Sequence, residues 1–137
     1  MNPVVADASV VAKVILEEAG HDAARGVVAK AAPLLAPELI FSECANALWK
    51  RVHRGSMASV HALRALEGLW AVPLEPLSLR RLTPAALQLS LDLDHPIYDC
   101  YYLAAAIQNN CTLATADQHL HELAQRMGFG EQAVLLR

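Results

Sequence analysis

The chain has 137 residues, 55% of them hydrophobic and only 5% aromatic, with a formal net charge of −3. That length buries a sizeable core without disulfide or metal staples, and the acidic balance excludes a globally basic nucleic-acid binder. No apolar run reaches the roughly 18 residues that span a bilayer, and Asp7 stands where a signal peptide would be apolar. A soluble cytoplasmic protein with no membrane partner, one domain over residues 1–137, is therefore expected.

In chain order, Pro3 to Ala6 reads as a short buried strand, Ser9 to about Leu16 as a helix and His21 to about Ala31 as a second helix. Leu34 to Ala36 is a strand stopped by Pro37. A long helix runs from about Glu38 to Arg54 and stops at Gly55, and another follows from about Ala58 to Ala71. Val72 to Glu75 reads as a strand. Thr83-Pro84 has the form of an N-cap with a first-turn proline, opening a helix to about Leu93, and Pro96 opens an apolar helix to Asn109. Thr112 to Ala114 is the next strand, Asp117 to Met127 a helix and Ala133 to Leu136 a last strand. Short apolar strands separated by helices predict an α/β fold: a central, mostly parallel sheet of four to five short strands covered on both faces.

Four acids interrupt this apolar chain. Asp7 breaks the run Val4 to Ala12, Asp99 is the only charge between Pro96 and Ala116, Glu43 falls within the apolar stripe Leu39, Ile40, Cys44, Ala47 and Leu48, and Asp117 closes the strand at Thr115. In a parallel sheet, sites form outside the carboxyl ends of the strands, where Asp7 and Asp117 both fall. Each acid also has an ordinary explanation. Asp7 and Asp117 suit helix N-caps, Asp99 suits the positive end of its helix, and Glu43 suits a buried carboxylate satisfied by a Ser or Asn. Together those explanations weaken. Two carboxylates about 4 Å apart repel by roughly 4 kcal/mol at an effective dielectric of about 20. No Lys or Arg is placed in the sequence to pair with each acid, so the economical partner is a shared divalent cation. Oxygen donors select Mg²⁺ or Mn²⁺ over zinc, which makes a metal-dependent hydrolase the expectation. Cys44, Cys100 and Cys111 are odd in number, lie in apolar segments and lack C-x-x-C spacing, so buried reduced thiols are expected rather than a competing site.

Val5-Ala6-Asp7-Ala8-Ser9, Ser42-Glu43-Cys44-Ala45-Asn46-Ala47-Leu48-Trp49, His95-Pro96-Ile97-Tyr98-Asp99-Cys100-Tyr101-Tyr102-Leu103-Ala104 and Thr115-Ala116-Asp117 together resemble the PIN-domain ribonucleases, specifically the VapC-type toxins of type II toxin–antitoxin pairs. The ordered set covers essentially the whole chain. The resemblance implies a three-layer α/β/α fold, Asp7, Glu43, Asp99 and Asp117 as catalytic and metal-binding acids, and Ser9, Asn46 and Thr115 as supporting residues. It further implies an RNA substrate, a small antitoxin partner and a two-fold dimer. Cys100 departs from the Ala or Ser more usual at its position but is similarly small.

Other residues divide between roles. Lys13, Lys50, Arg51 and Arg54 are possible RNA-backbone contacts, balanced against helix-dipole complementation and a solvated face. Trp49, Val52, Leu63, Leu66, Leu69 and Trp70 are candidates for the dimer patch. Tyr98 reads as core ahead of substrate contact, Asp92 and Asp94 as solvated loop residues, and His119 and His121 as surface residues. Two alternatives stand beside the toxin: a PIN-domain RNA-processing nuclease without an antitoxin, and a non-catalytic doubly wound binding or signalling domain. The latter fits less well, since no Lys follows the strand ending in Thr115-Ala116-Asp117 and none of the four acids is missing.

Overall fold

The computed structural model describes residues 2–137. In chain order its elements are β1 (Val4–Ala6), α1 (Ala8–Ile15), α2 (His21–Lys30), β2 (Leu34–Pro37), α3 (Leu39–His53), α4 (Ser59–Ala71), β3 (Leu74–Leu77), α5 (Leu79–Leu93), α6 (Ile97–Gln108), β4 (Thr112–Thr115), α7 (Gln118–Arg126) and β5 (Ala133–Leu135). The strands form one sheet in the order β3-β2-β1-β4-β5, and every pairing is parallel.

Parallel neighbours need crossover connections, and right-handed crossovers place α1 to α4 on one face and α5 to α7 on the other. The packing agrees. α1 contacts α2, α3 and α4, while α6 lies on β1, β2 and β4 and α7 lies on β4 and β5. This is the three-layer arrangement. Because the central strands are covered on both faces, they are apolar at successive positions: Val5, Ala6, Leu113 and Ala114 are all buried. Small side chains let a helix approach this sheet closely. Ala104, Ala105 and Ala106 are consecutive and buried on α6, which lies between the sheet and α5.

The edge strand corrects one expectation. β3 runs Leu74–Leu77 rather than Val72 to Glu75, because its register is set by β2, with Leu34 opposite Leu74 and Pro37 opposite Leu77. Pro76 is tolerated there because an edge strand has one unpaired side. A second correction concerns α5. It begins at Leu79, not at Pro84, and Pro84 lies inside it. Ser78 is the actual cap, accepting the Arg81 N–H at 3.3 Å, and Glu38 Oε1 accepts the Leu79 N–H at 3.1 Å. Thr83 does not cap; its hydroxyl donates back to the Leu79 carbonyl at 2.6 Å. Asp92, expected in a loop, lies in the last turn of α5 and accepts from Gln88 at 2.9 Å.

Pro84 has no N–H for the carbonyl of Arg80, one turn back on the exposed side of α5. Restoring that bond outweighs the entropy proline removes from the unfolded chain. Pro84→Ala is therefore expected to stabilise the protein by about 2 kcal/mol in urea unfolding; a loss of stability would show that the proline is accommodated without cost.

Candidate active site

The chain leaves β1 towards β2 on one side, while β4 pairs with β1 on the other. The carboxyl ends of β1 and β4 therefore form a topological switch point, where the connections diverge and a crevice opens. Asp7 is the first residue after β1, and its N–H donates to the Ala114 carbonyl at 3.2 Å, extending the ladder by one bond. It is 5% exposed and caps α1, with Oδ1 accepting the Val10 N–H at 3.2 Å. Two hydroxyls complete its surroundings: Ser9 Oγ donates to Oδ1 and Thr115 Oγ1 to Oδ2, both at 2.6 Å.

The same hydroxyls reach β4's end. Thr115 Oγ1 accepts the Asp117 N–H at 3.0 Å, and Ser9 Oγ accepts the Ala116 N–H at 2.8 Å. Asp117 caps α7, accepting the His119 N–H at 2.8 Å. The capping roles expected for Asp7 and Asp117 are thus real, and they leave both carboxylates at the switch point. Ser9 and Thr115 tie them into one network.

Glu43 and Asp99 approach from α3 and α6. Ile40, Cys44 and Leu48 bury the inner stripe of α3, and Glu43 sits half-buried beside it. Its partner is Tyr102, whose hydroxyl donates to Oε1 at 2.5 Å, in place of the expected Ser or Asn. Asp99 is half-buried in the first turn of α6 and meets Nε2 of His95 at 2.9 Å, one turn earlier.

Neither contact was recognised from the sequence. The spacing of four between His95 and Asp99 is a readable signal. Tyr102 and Glu43 lie 59 residues apart, and nothing local announces their contact. Of the other predicted residues, Asn46 is exposed with no side-chain hydrogen bond among the described residues. Lys13 and Arg51 both pair with Glu18, whereas Lys50 and Arg54 are exposed at the end of α3. Tyr98 is 60% exposed rather than core, and Trp49 and Trp70 are likewise largely exposed. Asp94 is exposed in the turn before His95, His119 is exposed and His121 half-buried.

The electrostatics couple the acids in two pairs, Asp7 with Asp117 and Glu43 with Asp99. Burial raises Asp7 to about 6, opposed by its hydrogen bonds and reinforced by the charge of Asp117. Burial also raises Glu43, with the Tyr102 hydrogen bond lowering it and Asp99 adding to the rise. Cys44, between them, is pushed up to about 12 by burial and by the charges of Glu43 and Asp7, so its thiol stays neutral and inert. All three cysteines are buried and unbridged. Among the described residues no Lys or Arg pairs with Asp7, Glu43, Asp99 or Asp117, and no three His, Cys, Asp or Glu side chains stand close enough to form a ready ligand set. The donor chemistry nonetheless suits a hard cation: carboxylate oxygens, without a Lys or Arg among the described residues to neutralise them.

The rise of Asp7 from 3.8 to about 6 carries a definite sign. Below 3.8 the residue is protonated in both folded and unfolded chains. Above about 6 it is ionised in both, and the buried charge costs the folded state roughly 3 kcal/mol. Asp7→Asn should therefore melt higher than the wild type at pH 7.5 in EDTA, by several degrees, with the gap closing as pH falls towards 4. A variant less stable at every pH would mean that the lost hydrogen bonds outweigh the relieved desolvation.

The family model of the PIN domain matches residues 4–126. Ribonuclease VapC3 of Pyrobaculum aerophilum is 32% identical over 120 residues, covering 86% of this chain and 92% of that protein. The crystal structure of PAE2754 from Pyrobaculum aerophilum superposes with a TM-score of 0.69 over 88% of this chain and 78% of that one, at 24% identity, which speaks for the fold alone. The chain belongs to the PIN-domain family and is a nuclease of the VapC ribonuclease type.

Proposed function

We propose that the chain is an endoribonuclease dependent on Mg²⁺ or Mn²⁺ and the toxin of a toxin–antitoxin pair, acting in the cytoplasm as one domain. The observation that carries this reading is two pairs of carboxylates at this end of the sheet, with Asp117 raising the proton affinity of Asp7 and Asp99 that of Glu43, and no Lys or Arg paired with any of them among the described residues. Asp7, Glu43, Asp99 and Asp117 would hold the cation. When bound, it supplies a water of lowered pKa and neutralises charge on the phosphoryl oxygens.

The protein's own contribution is orientation. Ser9, Thr115 and the Val10 N–H occupy one lone pair or more on each oxygen of Asp7 and fix its plane. His95 holds Oδ2 of Asp99. One of the four carboxylates would also accept the proton of the attacking water. With Lys13 and Arg51 engaged by Glu18, the exposed Lys50 and Arg54 are the side chains of the basic set free to track an RNA backbone.

The surface favours the toxin reading over a processing nuclease. A groove of about 350 Å³ runs between α3 and α4, lined by Leu48, Trp49, Val52, Ala62, Leu63 and Leu66 among others. An antitoxin segment laid in it would follow α3, the helix that carries Glu43, and an Arg or Lys on that segment would meet the acids. The dimer is a separate proposal. Leu69 is 1% exposed within one protomer and leaves the expected patch, while Trp49, Leu63 and Trp70 stay exposed on the α3–α4 layer and Leu87, Leu91 and Ile107 on the α5–α6 layer.

Protein purified free of antitoxin should cleave RNA with Mg²⁺ or Mn²⁺ and stop in EDTA. Asp99→Asn should lower the rate at least about 100-fold with its melting temperature preserved. Undiminished cleavage by that variant, or in EDTA, would refute the assignment. Sedimentation equilibrium at micromolar concentration should give twice the monomer mass; a monomer would remove the dimer.

A further inference from the structure

Tyr102 is a large, buried polar side chain that meets one of the four acids without being one of them. It is 2% exposed, among the largest buried side chains, and lies one turn after Asp99 on α6. Its ring fills the core, and its hydroxyl crosses to α3, where Glu43 Oε1 accepts it at 2.5 Å. A phenol could be replaced by phenylalanine if packing alone were required. The hydroxyl instead puts a second charged element, α3, in fixed relation to the helix that carries Asp99.

We propose that Tyr102 is a positioning residue for the metal site, its hydroxyl occupying Glu43 Oε1 so that Oε2 alone is presented to the cation. The inference rests on the metal-site reading and specifies one residue of it. Two features support it. The phenol has one proton, so the sense of the bond is fixed: oxygen donates and carboxylate accepts. A glutamate has three rotatable bonds, and ordering it before a ligand arrives removes an entropic cost from binding. Outer partners of this kind typically change metal affinity by about 10- to 100-fold.

The test is a double-mutant cycle on Mn²⁺ affinity, read by the paramagnetic resonance of free Mn²⁺, using the full chain with Tyr102→Phe, Glu43→Gln and both. Tyr102→Phe should weaken binding about tenfold, and the same change should have no effect once Glu43 is Gln. Affinity equal to or tighter than wild type, or a loss that persists beside Glu43→Gln, would overturn the proposal. Wild-type protein that binds no Mn²⁺ would overturn the metal reading beneath it, an outcome distinct from a wild type that binds and a Tyr102→Phe that matches it. Should Tyr102→Phe fail to fold, 3-fluorotyrosine at this position keeps the shape and the hydroxyl. Its fluorine resonance should move on adding Mg²⁺ to the otherwise wild-type chain and stay fixed in Glu43→Gln; no movement in the former, or equal movement in both, would sink the proposal.

Discussion

A buried carboxylate between two parallel strands sets the terms for the rest of this protein. Asp7 sits at the one place where the sheet's connections diverge, 5% exposed and with no cationic partner among the described residues. An isolated buried carboxylate would cost many kcal/mol, so it survives only with hydrogen bonds to each oxygen. Those come from Ser9 and Thr115 and from the first turn of α1. They explain why the strand ends and helix starts of this edge carry hydroxyls where the rest of the core is Ala, Val and Leu. Even so, the proton affinity of Asp7 stays high, which says that the hydrogen bonds offset the burial only in part.

The same constraint propagates outward. Thr115 and Ser9 each serve Asp7 and also take a backbone N–H from the turn after β4, so the position of Asp117 is coupled to that of Asp7. Across the crevice Tyr102 and His95 do the equivalent work for Glu43 and Asp99. Every acid of the four is held by neutral or hydrogen-bonding groups, never by Lys or Arg. A cationic side chain in any of these places would have stabilised the fold and displaced a metal. The arrangement gives up stability at the sheet's most central junction, and the apolar core on both faces of the sheet offsets that loss.

Much of this could be read from the chain. The apolar runs at 4–6 and 112–115 could only be covered strands, and the acids at 7 and 117 had to lie at their carboxyl ends. The stripe of Ile40, Cys44 and Leu48 placed Glu43 inward without any structure. What escaped had three causes. Thr83-Pro84 imitates a helix start by local chemistry, but Ser78 directly after β3 offers an earlier cap, and the exposed face of α5 tolerates a proline. Tyr98 reads as core because its helix is apolar throughout, yet it lies on the outer side of the first turn of α6, 60% exposed, while Cys100 in the same turn is buried. The Tyr102–Glu43 bond spans 59 residues and the Lys13–Glu18–Arg51 set joins α3 to the loop after α1; contacts between distant elements leave no periodic mark.

The claim at the centre is that the four acids are arranged for a divalent cation. Thermal unfolding in Mg²⁺ or Mn²⁺ against a monovalent salt at equal ionic strength tests it most directly, because a ligand that binds only the folded state raises the melting temperature as its concentration exceeds the dissociation constant, while screening acts alike in both series. The account predicts a concentration-dependent rise with the divalent ion that Asp7→Asn and Asp99→Asn abolish. Identical melting curves in the two salts, or an equal rise in those variants, would contradict it.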